Sequence, residues 1–205
     1  LGIKRLEDSK FAYTNLNFFE IQELLDKNDY EDIFGDLIEF LKDSSITFNI
    51  AHAPIHYPFF FNTYYKRDDI DTLKNRILKS LDISKKIGVK RIVIHVGTYL
   101  DKDYNYDINK SIEHNIKYLE PFVKKAIENN ILIAIENGTQ MEKDDPLFKN
   151  TAPYIDELIR IVEYYNKKYD KEVLGVCFDF GHANVGNLDM YNEIVKIGNK
   201  LIVTH

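Results

Sequence analysis

The sequence predicts an α/β protein: a TIM (β/α)8-type barrel with a parallel sheet wrapped by helices. Three observations predict it. Short runs rich in Ile, Val and Phe alternate with longer amphipathic stretches along the whole chain. The runs are continuously apolar instead of alternating, which is the pattern of strands covered on both faces. No GxGxxG or GxxxxGK[ST] loop follows an early run, as a doubly wound open sheet would require. A strand–helix repeat without that loop reads as βαβ units closing into a barrel.

Seven runs read as strands: LGIK (1–4), FFEIQ (18–22), ITFNIAH (46–52), RIVIHVG (91–97), ILIAIEN (131–137), LGVCFDF (174–180) and LIVTH (201–205). The stretches between them read as helices. Ile70, Leu73, Ile77 and Leu81 fall near a helical period, and Gly88 stands where a C-cap belongs. The stretch 108–130 repeats the pattern and stops at Asn129 and Asn130; Pro121 inside it predicts a kink or two helices. Pro153 belongs in the first turn of a helix over 152–169. Further helices are expected over 30–44 and 188–199. The expectation is one barrel domain over 1–205 with its last β/α unit missing, since the seventh strand ends at His205.

Composition narrows the function classes. The chain is 44% hydrophobic, enough for one sizeable core, and its net charge of −6 argues against a surface that coats nucleic acid. A single cysteine, Cys177, excludes a disulfide within the chain and suits a reducing cytoplasm. In the middle of an apolar run it reads as a small buried hydrophobe. No run reaches the length of a membrane span, and 1–10 lack the apolar core of a signal peptide.

The ends of the runs carry the chemistry, because reactive groups of a barrel gather at the C-terminal ends of its strands. The third run ends in His52, the fourth in His95, the fifth in Glu136 and the sixth in Asp179 with His182 on the next turn. The seventh ends in His205. A lone histidine at a strand end is more often a hydrogen-bonded structural residue, and Glu136 and Asp179 could be satisfied by lysines or backbone amides. Five consecutive endings of this kind point instead to a shared site. Imidazole with carboxylate is the ligand set of zinc, manganese and iron, and Glu136 could bridge two ions. His56, in the aromatic loop around YPFFFNTYY (57–65), reads as a loop residue or a substrate contact, and His114 as a helix-surface residue. Glu20 and Gln22 sit in the expected second strand, where one could face the pocket.

These motifs resemble the xylose isomerase-like TIM-barrel superfamily, which holds endonuclease IV (AP endonuclease family 2) and many sugar and sugar-phosphate isomerases and epimerases. GVCFDFGHA (175–183) resembles the sixth-strand signature of the endonuclease IV branch. IHVG at 94–97 resembles its H-P-G element, with Val96 where proline is usual; IEN at 135–137 and HAP at 52–54 resemble its fifth- and third-strand motifs. The resemblance implies one to three divalent ions, zinc or manganese. It implies His52, His95 and Glu136 as ligands of a first ion, and Glu136, Asp179 and His205 as ligands of a second. It implies His182 as a ligand of a third in the endonuclease branch, or as a substrate contact in the one-metal isomerases. There Glu136 is both ligand and acid/base. The family's eighth-strand glutamate has no counterpart in these residues.

Three readings follow. The first is a metal-dependent isomerase or epimerase of a small-molecule sugar or sugar phosphate, with Glu136 and His182 as the catalytic pair. The second is a phosphodiesterase acting at abasic sites in DNA, favoured by His52 and His95 but without a visible Arg-rich grip on a duplex. The third is a non-catalytic metal-binding barrel.

Overall fold

Six parallel strands make a half-barrel of the TIM type, in a computed structural model that describes residues 10–55, 70–97, 106–138 and 154–205 together with Arg5 and Asp8. The strands are β1 (Tyr13–Asn17), β2 (Thr47–His52), β3 (Arg91–His95), β4 (Leu132–Glu136), β5 (Leu174–Phe178) and β6 (Leu201–Thr204). Their order in the sheet is their order in the chain. Helices α1 (Tyr30–Lys42), α2 (Ile70–Lys86), α3 (Ile108–Asn129) and α4 (Ile155–Tyr169) alternate with them, and the short α5 (Phe180–Val185) and then α6 (Met190–Ile197) separate β5 from β6. An order that never reverses is the winding of a barrel and not of a doubly wound sheet.

The second expected strand needs correction, and the first, residues 1–4, falls outside the described residues, as do Pro153, His56 and the aromatic loop 57–65. Residues 18–22 are not a strand but the start of a 3-10 helix, Phe18–Asp26, and the strand lies just before it at Tyr13–Asn17. The spacing explains this: Phe18, Gln22 and Leu25 are buried, four and then three residues apart, so the run packs with helical and not alternating periodicity. Asn17 marks the join, its side chain accepting the Phe19 N–H at 3.0 Å. Among the described residues the strands therefore number six and not seven.

The helix stops fall where the sequence places them. Gly88 (φ +83°) and Asn130 (φ 55°) take the left-handed conformation that ends a helix. Helix α3 runs through Pro121 as one element from Ile108 to Asn129, so the two-helix alternative does not hold.

The core has two layers. Outside the sheet, Ile92, Ile94, Ile133, Ile135, Val176 and Phe178 pack against Leu81, Leu119, Phe122, Leu158 and Ile161 of the helices. Inside it, Val93, Ala134, Cys177 and Val203 form a separate cluster of smaller side chains. At the N-terminal end of β5 the inside is tighter still. A Cβ added to Gly175 would stand 2.6 Å from Cδ1 and Cγ1 of Ile202, so the glycine makes room for the β6 side chain. Beside it, Asn166 of α4 satisfies the entry to β5: its Nδ2 donates to the Leu174 carbonyl at 2.9 Å, and its Oδ1 accepts the N–H groups of Val173 and Leu174.

Near the start of α4 lies a wholly buried carboxylate, Glu157, whose Oε2 accepts the Tyr154 N–H at 2.9 Å. Burial drives its carboxyl above the usual 4.5, against the opposing pull of Ser111, Tyr154, Tyr106 and Arg160. Because the folded value is raised, the stability tied to this group is complete below pH 4.5 and is lost as pH rises through the raised value. Wild type is accordingly expected to lose stability relative to Glu157→Gln over that rise, in guanidinium melts taken across pH. Gly175→Ala is expected to cost about 1–3 kcal/mol by overpacking. In urea denaturation the double variant Gly175→Ala/Ile202→Ala should cost less than the sum of its parts.

Candidate metal centre

Period-two alternation decides which strand side chains enter the barrel. Val93 and His95 share the inner face of β3, and Ala134 and Glu136 that of β4. The two strands pair with His95 opposite Glu136. Across the next pair Glu136 stands opposite Cys177, so Asp179, two residues on, emerges at the rim. His52 closes β2 and His205 directly follows β6.

Glu136 is the hub. Its side chain is 2% exposed, and its two oxygens have different surroundings. Oε1 accepts from His205 Nδ1 at 2.9 Å. Oε2 lies 2.6 Å from His95 Nε2 and 3.5 Å from His52 Nε2, yet no donor hydrogen is aligned on it. The two Nε2 atoms are themselves 3.1 Å apart. Two ring nitrogens and a carboxylate oxygen thus converge on one point with no well-directed hydrogen bond to that oxygen.

Two of the rings are oriented by backbone carbonyls. His52 Nδ1 donates to the Ala53 carbonyl at 2.8 Å, and His182 Nδ1 donates to the Asn137 carbonyl at 2.9 Å. A neutral imidazole with its proton on Nδ1 presents a bare lone pair at Nε2, the arrangement seen around metal-ligating histidines.

The electrostatics follow from burial and these contacts. Burial alone would raise the Glu136 carboxyl, but the imidazoles of His205, His52 and His95 around it outweigh that and hold the group far below the usual carboxylate range. Burial pushes His95 down despite the carboxylate beside it. His205 is raised, chiefly by its hydrogen bond to Glu136. Burial, with Glu136 and Asp179 nearby, pushes the Cys177 thiol up.

Three groups of side chains each bring their ligand atoms within 4.8 Å of one another: His52, His95 and Glu136; Glu136, Asp179 and His182; and Glu136, Cys177 and His205. The donor chemistry fits a divalent cation, and the buried Oε2 without an aligned donor is the point it fits best. The first set is the one expected from the sequence. The expected second set of Glu136, Asp179 and His205 is divided: Asp179 sits with His182, and His205 with Cys177. His182 lies beside Asp179 and joins it and Glu136 in one of these groups. Asp179 also caps α5, its Oδ1 accepting the His182 N–H at 2.6 Å.

Other candidates lie elsewhere. His114 is half-buried in α3, where burial lowers its pKa. Glu20 is exposed and Gln22 buried, both in the 3-10 helix and not in a strand. Sequence reasoning passed over two buried amides. Asn115 of α3 bonds both backbone groups of Gly97 past the end of β3, accepting at 3.0 Å and donating at 2.6 Å. Asn137 does the same for Asp179. The signal for Asn137 was its place beside Glu136 at a strand end.

A family model described as xylose isomerase-like TIM barrel matches residues 3–205, and the chain belongs to that family. A relative described as probable endonuclease 4, from Malacoplasma penetrans, is 23% identical over 170 residues, covering 82% of this chain and 54% of its own. The chain spans about half the length of the curated relatives it matches. The solved structure of a D-tagatose 3-epimerase-like protein superposes with a TM-score of 0.70 at 18% identity, over 99% of this chain and 70% of that one. That of IolI, described with a bound zinc atom, gives 0.66 at 17% identity, over 98% and 64%. Among the described residues no helix is long and apolar enough to cross a membrane.

Cys177 is wholly buried and its thiol is pushed up, so it is not a ready nucleophile. Thiol-reactive reagents at neutral pH are expected to leave the folded protein unmodified and to label Cys177 only as urea unfolds the chain, measured by mass spectrometry.

Proposed function

We propose that this chain carries the divalent-metal centre of an enzyme that isomerises or epimerises a sugar or sugar phosphate. The observation that carries the reading is Glu136 Oε2, buried without an aligned donor where His52 Nε2 and His95 Nε2 converge. His52, His95, Glu136, Asp179, His182 and His205 are the residues that would hold the ion or ions. A divalent cation there supplies Lewis acidity for adjacent carbonyl and hydroxyl oxygens of a polyol.

The chain's own residues have distinct tasks. His205 fixes one edge of the Glu136 carboxylate through Oε1, which leaves Oε2 to face an ion, and Glu136 is the residue assigned to move the proton on the carbon beside the carbonyl. Holding Glu136 far below the usual carboxylate range keeps it ionised, as a cation ligand must be. His182, oriented by the Asn137 carbonyl, faces its Nε2 toward a substrate hydroxyl or an ion. The apolar inner layer of Val93, Ala134, Cys177 and Val203 closes the floor beneath. Epimerases among the related folds support the sugar reading, and the single buried thiol suits a reducing cytoplasm.

A second reading has its own observation. His52 and His95 meet at 3.1 Å and form with Glu136 one group of candidate ligands beside that of Glu136, Asp179 and His182. Two ions sharing one carboxylate suit in-line hydrolysis of a phosphodiester, including one at an abasic site in DNA.

Elemental analysis after dialysis against zinc or manganese tests the shared premise. Wild type is expected to retain metal and Glu136→Gln to lose it. Free zinc at a hundred times its Kd should stabilise wild type by about 2.7 kcal/mol and leave Glu136→Gln unmoved. Solvent-deuterium exchange at a ketose carbon with one ion per chain supports the sugar reading. Cleavage of an abasic duplex with two ions per chain replaces it with the second, and absence of metal uptake removes both.

A further inference from the structure

We propose that Asn137 is a positioning residue whose side-chain amide locks Asp179 and His182 into one ion-binding pair. The inference rests on the metal reading above and deepens it by naming what assembles the Asp179–His182 half of the centre.

The geometry is specific. Asn137 immediately follows Glu136, the last residue of β4, and is 1% exposed. Its Nδ2 donates to the Asp179 carbonyl at 3.0 Å, and its Oδ1 accepts the Asp179 N–H at 2.7 Å. The amide therefore continues the β4–β5 ladder beyond its last backbone pairing, at the point where the chain turns into α5. Its own carbonyl accepts His182 Nδ1 at 2.9 Å. One residue thus contacts both members of the pair, gripping Asp179 by its backbone and His182 by its ring.

Two consequences follow. Asp179 has its main chain clamped, so its carboxylate enters at a fixed height beside Glu136. His182 has its proton drawn to Nδ1, so Nε2 keeps its lone pair for an ion. The two effects are linked. If the side-chain clamp is lost, the turn carrying Asp179 and His182 moves relative to the Asn137 carbonyl, and the ring loses its partner. His52 and His95 hang on β2 and β3 and do not depend on this clamp.

A second buried asparagine supplies the control. Asn166 bonds the backbone at the opposite, N-terminal end of the same strand, with three hydrogen bonds to Val173 and Leu174. A variant there loses comparable backbone contacts far from the rim. The test compares the full chain as wild type, Asn137→Ala, Asn137→Asp and Asn166→Ala, each checked for folding by circular dichroism. The first readout is the His182 tautomer in metal-free protein, from long-range nitrogen–proton correlation spectra. The second is zinc binding by titration calorimetry.

Wild type is expected to hold the Nδ1–H tautomer at His182, as is Asn166→Ala, while Asn137→Ala and Asn137→Asp lose it. Zinc affinity of the Asp179–His182 half should fall about 10- to 100-fold in the Asn137 variants, the range for loss of an outer-shell partner. It should hold in Asn166→Ala. An unchanged tautomer in both Asn137 variants overturns the inference, as does an equal loss of zinc in Asn166→Ala. If wild type binds no zinc, the metal reading fails by itself, and the tautomer comparison still decides whether Asn137 positions the ring.

Discussion

A carboxylate buried in the mouth of a parallel sheet is the constraint on which the rest of this structure turns. An ionised group taken out of water costs several kcal/mol even after relaxation, about the size of a domain's whole stability. Glu136 stays ionised because imidazoles stand at both of its oxygens: His205 at Oε1, His95 and His52 at Oε2. Lysine would neutralise it as well, but with a proton it holds too tightly to yield to a cation. Imidazole can share its charge with the carboxylate and offer a lone pair to an ion. The register of β3 on β4 and the inner-face alternation of each strand serve to bring those rings to that acid.

The layers beneath explain why the rim can be so polar. Small side chains, Val93, Ala134, Cys177 and Val203, fill the inner level directly under it. Gly175 drops out of the level below so that Ile202 can occupy the space. Most of the large buried aliphatic residues are on the outer face, against the helices. The burial energy that stabilises the fold therefore comes from the outside of the sheet, which leaves the inside free to be shaped for ligands. The same division appears at the two ends of β5. Asn166 settles backbone groups at the entry, and Asn137 settles them at the exit. Only the second touches a candidate ligand.

Much of this was legible in the sequence because two periodicities are strong. Continuous apolar runs marked β2 to β6, and the 3.6-residue pattern with Gly88 and Asn130 as stops marked α2 and α3. The strand-end residues were legible for the same reason: a His or Glu that closes an apolar run has one place to go in a barrel. The first strand was not. Tyr-Thr-Asn-Leu-Asn is an edge strand with alternating exposure, so it lacks the apolar run, and the stronger signal of Phe18 and Phe19 next to it belongs to a 3-10 helix. Helix α5, six residues long, is too short to show a period and is set by the Asp179 cap. Asn137 was marked in the sequence only by its place beside Glu136; its role appears when β5 is placed beside it. Likewise, which carboxylate shares space with which histidine depends on distances of a few ångströms, and spacing along the chain does not encode them.

The inequality of the two Glu136 oxygens has a chemical consequence that follows from the fold itself. A symmetric carboxylate, equally bonded on both sides, is a good structural anchor and a poor reagent. Here one oxygen is tied to a ring on the far strand β6 by a directed hydrogen bond, and the other faces rings from β2 and β3 without one. β3 pairs with β4 in step, while β5 and β6 are offset by a register shift between Val176 and Cys177. The contacts at Oε1 and Oε2 divide the acid into a held oxygen and an open one. Any chemistry done at this mouth, whether proton transfer or the sharing of an oxygen between two ions, uses that division.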